Sequence, residues 1–300
     1  GSGVSQAIGT GGHDLHENIG GITMLQAFDA LQDDPDTELI VLVSKPPAPS
    51  VASTVVAAAE KSSKPVVINF LGPDAREDDH GNIQFARTLE DAARAAVARV
   101  KRRAFAGNPG IPDETAADLG RRRARLGTGK YVRGLFSGGT FCYEALILTS
   151  EILGPVYSNT ALDSAYALED VWVSRNHSLV DLGDDAFTRG RPHPMIDHRL
   201  RNDRIIQEAR DPETAVILLD VVLGYGSHLD PAAEMAPALA EARRAAGVRD
   251  LVVIASVCGT EGDQQNLRHQ ERVLADAGVL LARSNAQAAR FAAEVVRGLA

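Results

Sequence analysis

The chain has 300 residues, 44% hydrophobic and 24% charged, with a net charge of −9 at pH 7. That acidic balance argues against a nucleic-acid backbone as partner, and no apolar run is long enough to span a bilayer. Two cysteines, Cys142 and Cys258, are too few for a disulfide framework, and no His or Cys spacing suggests a metal site.

Residues 4–8 form a short strand candidate, followed by the glycine loop Gly9-Thr10-Gly11-Gly12. Residues 22–31 have helical periodicity, with Met24, Ala27, Phe28 and Leu31 on one side. The uninterrupted apolar run at 39–43 predicts a strand buried on both faces. Pro46, Pro47 and Pro49 stiffen the loop before an Ala-rich helix at 51–61, and residues 66–70 and 83–86 give two further strands. Thr88 followed by Asp91 three residues later predicts a helix start. Residues 104–130 break the alternation with prolines, glycines and Arg121-Arg122-Arg123, and read as a connection holding one short helix.

Beyond it, strands are expected at 132–136, 179–182, 215–222, 251–257 and 279–281. Helices are expected at 141–152 and beginning near Asp197, Pro231, Gln265 and Asn285. The second half restates the first. Asp34-Pro35-Asp36-Thr37 returns as Asp211-Pro212-Glu213-Thr214, Val66-Val67-Ile68 as Val252-Val253-Ile254, and Ala92-Ala93-Arg94 as Ala288-Ala289-Arg290. Such long-period self-similarity means two copies of one fold and not a short-period solenoid. The expected architecture is α/β: two tandem flavodoxin-like domains with parallel sheets, at 1–103 and 131–300, joined by the 104–130 linker. The first copy has one βα unit fewer at its start, so the chain is expected to be a fragment, or to have a partner that supplies that unit.

Two glycine loops, Gly9-Thr10-Gly11-Gly12 and Ser137-Gly138-Gly139-Thr140, each follow a predicted strand and precede a predicted helix. Converging amides at a helix N-terminus suit a phosphate, and each loop also reads as a plain βα turn. Neither is a Walker A sequence or a dinucleotide fingerprint. The stretch Arg189-Gly190-Arg191-Pro192-His193-Pro194 offers arginines for a carboxylate or phosphate and a histidine stiffened between two prolines. It lies on a long loop after a strand, where α/β ligands bind. Cys258 has no visible base beside it and reads as a small residue at a strand end, while Cys142 reads as core.

Several stretches together resemble the FdrA family: Gly3-Val4-Ser5-Gln6-Ala7-Ile8-Gly9-Thr10-Gly11-Gly12, Gly134-Leu135-Phe136-Ser137-Gly138-Gly139-Thr140, Gly190-Arg191-Pro192-His193-Pro194-Met195-Ile196-Asp197 and Asp220-Val221-Val222-Leu223-Gly224-Tyr225-Gly226. That family belongs to the succinyl-CoA synthetase superfamily. The resemblance implies a first domain like the ligase-CoA domain of the synthetase α subunit. It implies a second like the C-terminal domain of the β subunit, and an N-terminal CoA-binding-like domain that this chain lacks. It also implies two activities. One is an acyl-CoA synthetase using CoA and ATP. The other is a subunit of a hetero-oligomeric carbamoyltransferase of allantoin breakdown, acting on carbamoyl phosphate and oxamate (or oxalurate) with no cofactor. Separately, with no signal peptide or membrane span read from the sequence, a cytoplasmic protein is the default expectation. The family's phosphohistidine loop, Gly-His-Ala-Gly after the strand at 66–70, is replaced here by Leu71-Gly72-Pro73-Asp74-Ala75-Arg76, with only Gly81 beside the later His80. This departure favours the transferase over the ligase, and a non-catalytic scaffold subunit is the third reading. The expected site has Arg191 and His193 as catalytic residues and Gly11, Gly12, Ser137, Gly138, Gly139 and Thr140 as phosphate ligands.

Overall fold

A computed structural model describes residues 3–72, 79–107 and 110–300. The chain divides into two compact units, Gly1–Pro109 and Gly110–Ala300. Both are α/β with parallel sheets.

Among the described residues, the first unit contains α1 (Ile22–Asp33), β1 (Ile40–Ser44), α2 (Pro49–Glu60), β2 (Val66–Phe70), β3 (Ile83–Phe85) and α3 (Leu89–Val100), with the strands in order β1-β2-β3. Met24 and Phe28 of α1 and Val51, Val55 and Val56 of α2 bury one sheet face, against Ile40, Leu42, Val66 and Ile68. Ala92 and Ala95 of α3 pack with Val67 on the other. The Thr88 cap forms as expected: its Oγ1 accepts from the Asp91 amide at 3.0 Å.

Two expectations for this unit fail, for one reason. Residues 4–8 form no strand and lie exposed, Val4 at 82%. Strand β1 is not buried on both faces, since Val41 and Val43 are 39% and 41% exposed. Among the described residues of this unit β1 pairs only with β2, so it is an edge strand with one face partly uncovered. A strand needs a neighbour for its amides, and residues 4–8 have none among those residues.

The second unit is larger. It contains α4 (Asp113–Arg123), β4 (Tyr131–Phe136), α5 (Gly139–Leu153), β5 (Ser178–Asp181), the short α6 (Asp185–Thr188), α7 (Arg199–Arg210) and β6 (Thr214–Val222). It continues through α8 (Pro231–Ala246), β7 (Val252–Cys258), α9 (Leu267–Asp276), β8 (Leu280–Ala282) and α10 (Asn285–Val296). Its five strands run β5-β4-β6-β7-β8. Counted from β4 this is the 2-1-3-4-5 flavodoxin-like order, whose switch point lies between β4 and β6. The helix in the expected linker belongs to this unit: Leu119 of α4 is buried in the same core as Phe291 and Val295 of α10.

The sequence repeat allows the two units to be compared position by position. Leu218 of β6 occupies the place of Val41 in β1 and is fully buried, because β4 pairs with β6 and α5 packs on α10. Ala93 and Val97 on α3 are exposed, whereas their counterparts Ala289 and Ala293 on α10 are buried. The first unit has no β4–α5 equivalent among its described residues. No helix among the described residues is long and apolar enough to cross a membrane.

Asp14 fixes the start of α1. Its carboxylate accepts the Thr23 and Met24 amides at 3.0 and 2.8 Å, two of the donors a helix N-terminus leaves unpaired. Burial acts to raise this carboxyl, but the two amide bonds outweigh it and hold the pKa below 3.8. Replacing Asp14 with Ala is expected to cost the first unit about 1–2 kcal/mol. In urea titrations that deficit should be complete above pH 3.8, the ordinary value, and should vanish as acid protonates Asp14 in the folded protein. A pH-independent deficit would assign the loss to packing instead.

Candidate functional site

The carboxyl ends of β4, β5 and β6 carry most of the sequence-predicted groups. Asp220, near the end of β6, points its carboxylate at the turn after β4. It accepts the Ser137 amide at 2.7 Å, the Gly138 amide at 2.7 Å and the Ser137 hydroxyl at 2.9 Å. The Ser137 and Gly138 amides, assigned to phosphate from sequence, are therefore engaged by an internal carboxylate. Glycine is required at 138, where a Cβ would lie 2.8 Å from the Phe141 ring and 3.1 Å from Asp220 Oδ2. Gly139 and Thr140 open α5 and are half-buried, and the amides of a first helical turn point out of the helix end.

A buried carboxylate needs a counter-charge. Arg201 of α7, with no exposed surface, supplies it. One guanidinium nitrogen, Nη1, donates to Asp220 Oδ1 at 3.1 Å, to the Asp220 carbonyl at 2.7 Å and to Ser137 Oγ at 3.3 Å. The other, Nη2, reaches His198 Nδ1 at 2.8 Å. Arginine only donates, so His198 Nδ1 accepts and its proton sits on Nε2. Burial first, then the charges of Arg201 and His228, push His198 down to about 3, and the ring is neutral at pH 7. Its Nε2 has no partner among the described residues, and the His228 ring lies 5.3 Å away, centroid to centroid.

His193 and His228 are fixed in the same sense. His193 Nδ1 accepts the Met195 amide at 3.2 Å and His228 Nδ1 the Asp230 amide at 3.0 Å, which leaves Nε2 as the proton-bearing atom in each neutral ring. The His228 amide donates to the Met195 carbonyl at 2.9 Å and ties the two loops together. Gly183 explains how the imidazole comes in so close: a Cβ there would lie 2.6 Å from His193 Nε2, 3.0 Å from the Ser137 carbonyl and 3.1 Å from Asp181 Oδ1. The prolines around His193 thus aim it at the turns after β4 and β5, beside the Asp181 carboxylate. Arg191 lies on the same loop but is exposed, its guanidinium over the Trp172 ring at 5.5 Å.

Cys258 ends β7 with an exposed side chain, and Cys142 is buried in α5. Partial burial, then the Asp220 and Asp263 carboxylates, push the Cys258 thiol up, so its reactive thiolate form is disfavoured. Gly11 and Gly12 belong to the first unit. They are exposed and do not open a helix, because α1 starts only after Gly21, and its first amides are taken by Asp14. Their expected place at a helix N-terminus is thereby corrected: residues 13–21 form turns ahead of α1.

Sequence reasoning missed Asp220, Arg201, His198 and Asp181. One signal was available: Asp220 is a charge inside an apolar strand run, and such a residue requires a partner. Nothing in the sequence pointed to Arg201 as that partner.

Residues 135–295 match the family model described as CoA-ligase. The chain belongs to the CoA-ligase family. Residues 1–72 match the CoA binding domain model, where the sequence resemblance implied a ligase-type domain and a CoA-binding-like domain lacking from the chain. The wider relationship expected from sequence, to the succinyl-CoA synthetase-like proteins, holds. The chain is 46% identical over 301 residues to the uncharacterized protein YahF of Escherichia coli (strain K12), covering 99% of this chain and 58% of that relative. It thus spans less than two thirds of that relative's length. Two solved structures superpose over 91% of the chain. One is PH0766 from Pyrococcus horikoshii OT3, at 11% identity, TM-score 0.38 and 55% of its length. The other is the D541A mutant of Methanosaeta concilii ATP citrate lyase in complex with (3S)-citryl-CoA, at 15% identity, TM-score 0.34 and 40% of its length. Likeness at that level carries no argument about activity.

The cluster makes two predictions. Replacing Arg201 with Met leaves Asp220 buried without its counter-charge and should cost about 3–5 kcal/mol in denaturant unfolding. Adding Asp220→Leu should recover part of that loss, and a strictly additive double variant would refute the coupling. Separately, His198 and His177, which precedes β5 and accepts the Val132 amide at 3.2 Å, are both held neutral by burial, at about 3 and about 4, against 6.5 when unfolded. On acidification below pH 6.5 the unfolded chain gains protons that the folded one refuses. Stability should then fall by about 1.4 kcal/mol per pH unit per histidine down to those values. His198→Gln, followed by thermal unfolding between pH 7 and 4, should flatten that slope.

Proposed function

We propose that this acyl-CoA synthetase-like chain works as a subunit of a carbamoyltransferase, exchanging oxalurate and phosphate with oxamate and carbamoyl phosphate at the carboxyl edge of the second unit's sheet. The observation that carries this reading is the state of the two obvious nucleophiles there. The Ser137 hydroxyl is buried and donates a hydrogen bond to Asp220, and the Cys258 thiol is pushed up. Neither suits a covalent intermediate. Direct transfer between two bound anions needs only positioning and charge stabilisation.

In the phosphorolysis direction a phosphate oxygen attacks the carbamoyl carbon of oxalurate, the C–N bond breaks, and the oxamate nitrogen gains the proton that phosphate gives up. The Gly139 and Thr140 amides at the α5 N-terminus hold the phosphate. Ser137, Gly138 and Asp220 shape the turn that aims them. Arg191, exposed on Trp172, holds the substrate carboxylate as a two-pronged donor. His193 orients the carbamoyl group or passes the proton from its Nε2. Gly11 and Gly12 are left out of this site.

The family matches favour a second reading, an acid–thiol ligase using CoA and ATP. In the first unit the Thr23 and Met24 amides at the start of α1 are taken by Asp14, so a CoA or nucleotide phosphate there would need other donors. Residues 73–78, at the place of the family's histidine loop, lie outside the described residues.

The deciding experiment is carbamoyl phosphate formation from oxalurate and phosphate by this chain co-expressed with its partner subunits. His193→Ala should lower kcat by about 10²–10⁴-fold. Arg191→Ala should act mainly on KM for oxalurate, by about tenfold or more. Unchanged turnover in both variants would remove these roles. Acid-labile phosphate transferred from ATP to His80 would instead select the ligase.

A further inference from the structure

The amino-terminal edge of the second unit's sheet, opposite the loops above, holds a cavity of about 440 Å³. Arg122, Arg243, Arg249 and Asp250 line it, with Gly247 and Gly278 among the neighbouring backbone. Three arginines and one aspartate thus line it; the Asp250 carboxylate is paired with Arg125 at 3.1 Å and Arg122 with Asp118 at 2.8 Å. The cavity lies between the end of α8, the α8–β7 and α9–β8 connections, and α4, all within one unit.

Two of the arginines are held in place beforehand. Arg249 donates to the backbone carbonyls of Thr214 and Ala209, which orient it, and the Asp211 charge acts on it from nearby. Arg122 is anchored through Nε to Asp118 at 2.8 Å. Arg243 differs: it is exposed, and among the described residues it has no acidic partner. Its guanidinium lies over Gly278, where a Cβ would collide with it. The missing side chain at 278 is what lets Arg243 lie flat along the cavity wall.

We propose that this cavity binds a small molecule bearing a diphosphate. Guanidinium forks match phosphate oxygens in pairs, and fixing the donors in advance lowers the entropic cost of binding. The volume falls in the range of small-molecule sites and exceeds what one phosphate fills. The site is separate from the carboxyl-edge cluster, so its occupancy is independent of the reaction proposed there.

The test is isothermal titration of the intact chain at low salt with pyrophosphate, orthophosphate and citrate as probes. Pyrophosphate should bind more tightly than the other two, and more weakly as salt is raised. Arg243→Ala should weaken it about tenfold. Because Arg243 has no internal partner, this variant should keep the parent Tm. His193→Ala, at the opposite edge, should leave binding unchanged. Pyrophosphate binding that is absent, that ignores Arg243→Ala, or that is lost in His193→Ala would overturn the proposal. Equal affinity for citrate would overturn the diphosphate assignment.

Discussion

The buried pair between Asp220 and Arg201 is the constraint on which the second unit's functional edge depends. A carboxylate placed inside an apolar strand could not stay ionised without donors. Here it receives two amides and a hydroxyl from the turn after β4, and a guanidinium from α7. One charge therefore joins the two central strands at the switch point to the helix beside them. The same guanidinium sets the tautomer of His198, whose ring packs near His228, and the His228 loop is tied to the His193 loop through Met195.

This arrangement changes what a glycine-rich βα turn means in this chain. Such turns attract anions because their amides converge at a helix end. In both units the protein supplies an anion of its own to the amides at a helix start, Asp220 before α5 and Asp14 at α1. An external phosphate is left with the remaining first-turn amides of α5. The glycines at 138 and 183 serve close approach: one admits Asp220 and the Phe141 ring, the other the His193 imidazole.

The sequence repeat also allows the folding of the two units to be compared. Leu218 and Val41 stand at matching places in matching strands, yet one is buried and the other 39% exposed. The difference lies in the neighbours: β4 and α5 cover β6 and α10, and among the described residues nothing equivalent covers β1 and α3 within the first unit. Whether a strand-like sequence becomes a strand follows the same rule. Residues 4–8 have β propensity but no neighbour to take their hydrogen bonds.

The sequence by itself determined the α/β class with parallel sheets, most strands to within a residue or two, and the loop that carries Arg191 and His193. These follow from local periodicity, apolar runs and turn residues, which act over a few positions. Only the tertiary structure decided that Asp220 fills the turn after β4, that Arg201 neutralises it, that α4 packs with the second unit, and that β1 is an edge strand. Each of these is a pairing between residues far apart in sequence, such as Ser137 with Asp220 or Leu119 with Phe291. A residue's own chemistry shows that it needs a partner, but only packing brings a particular partner within reach.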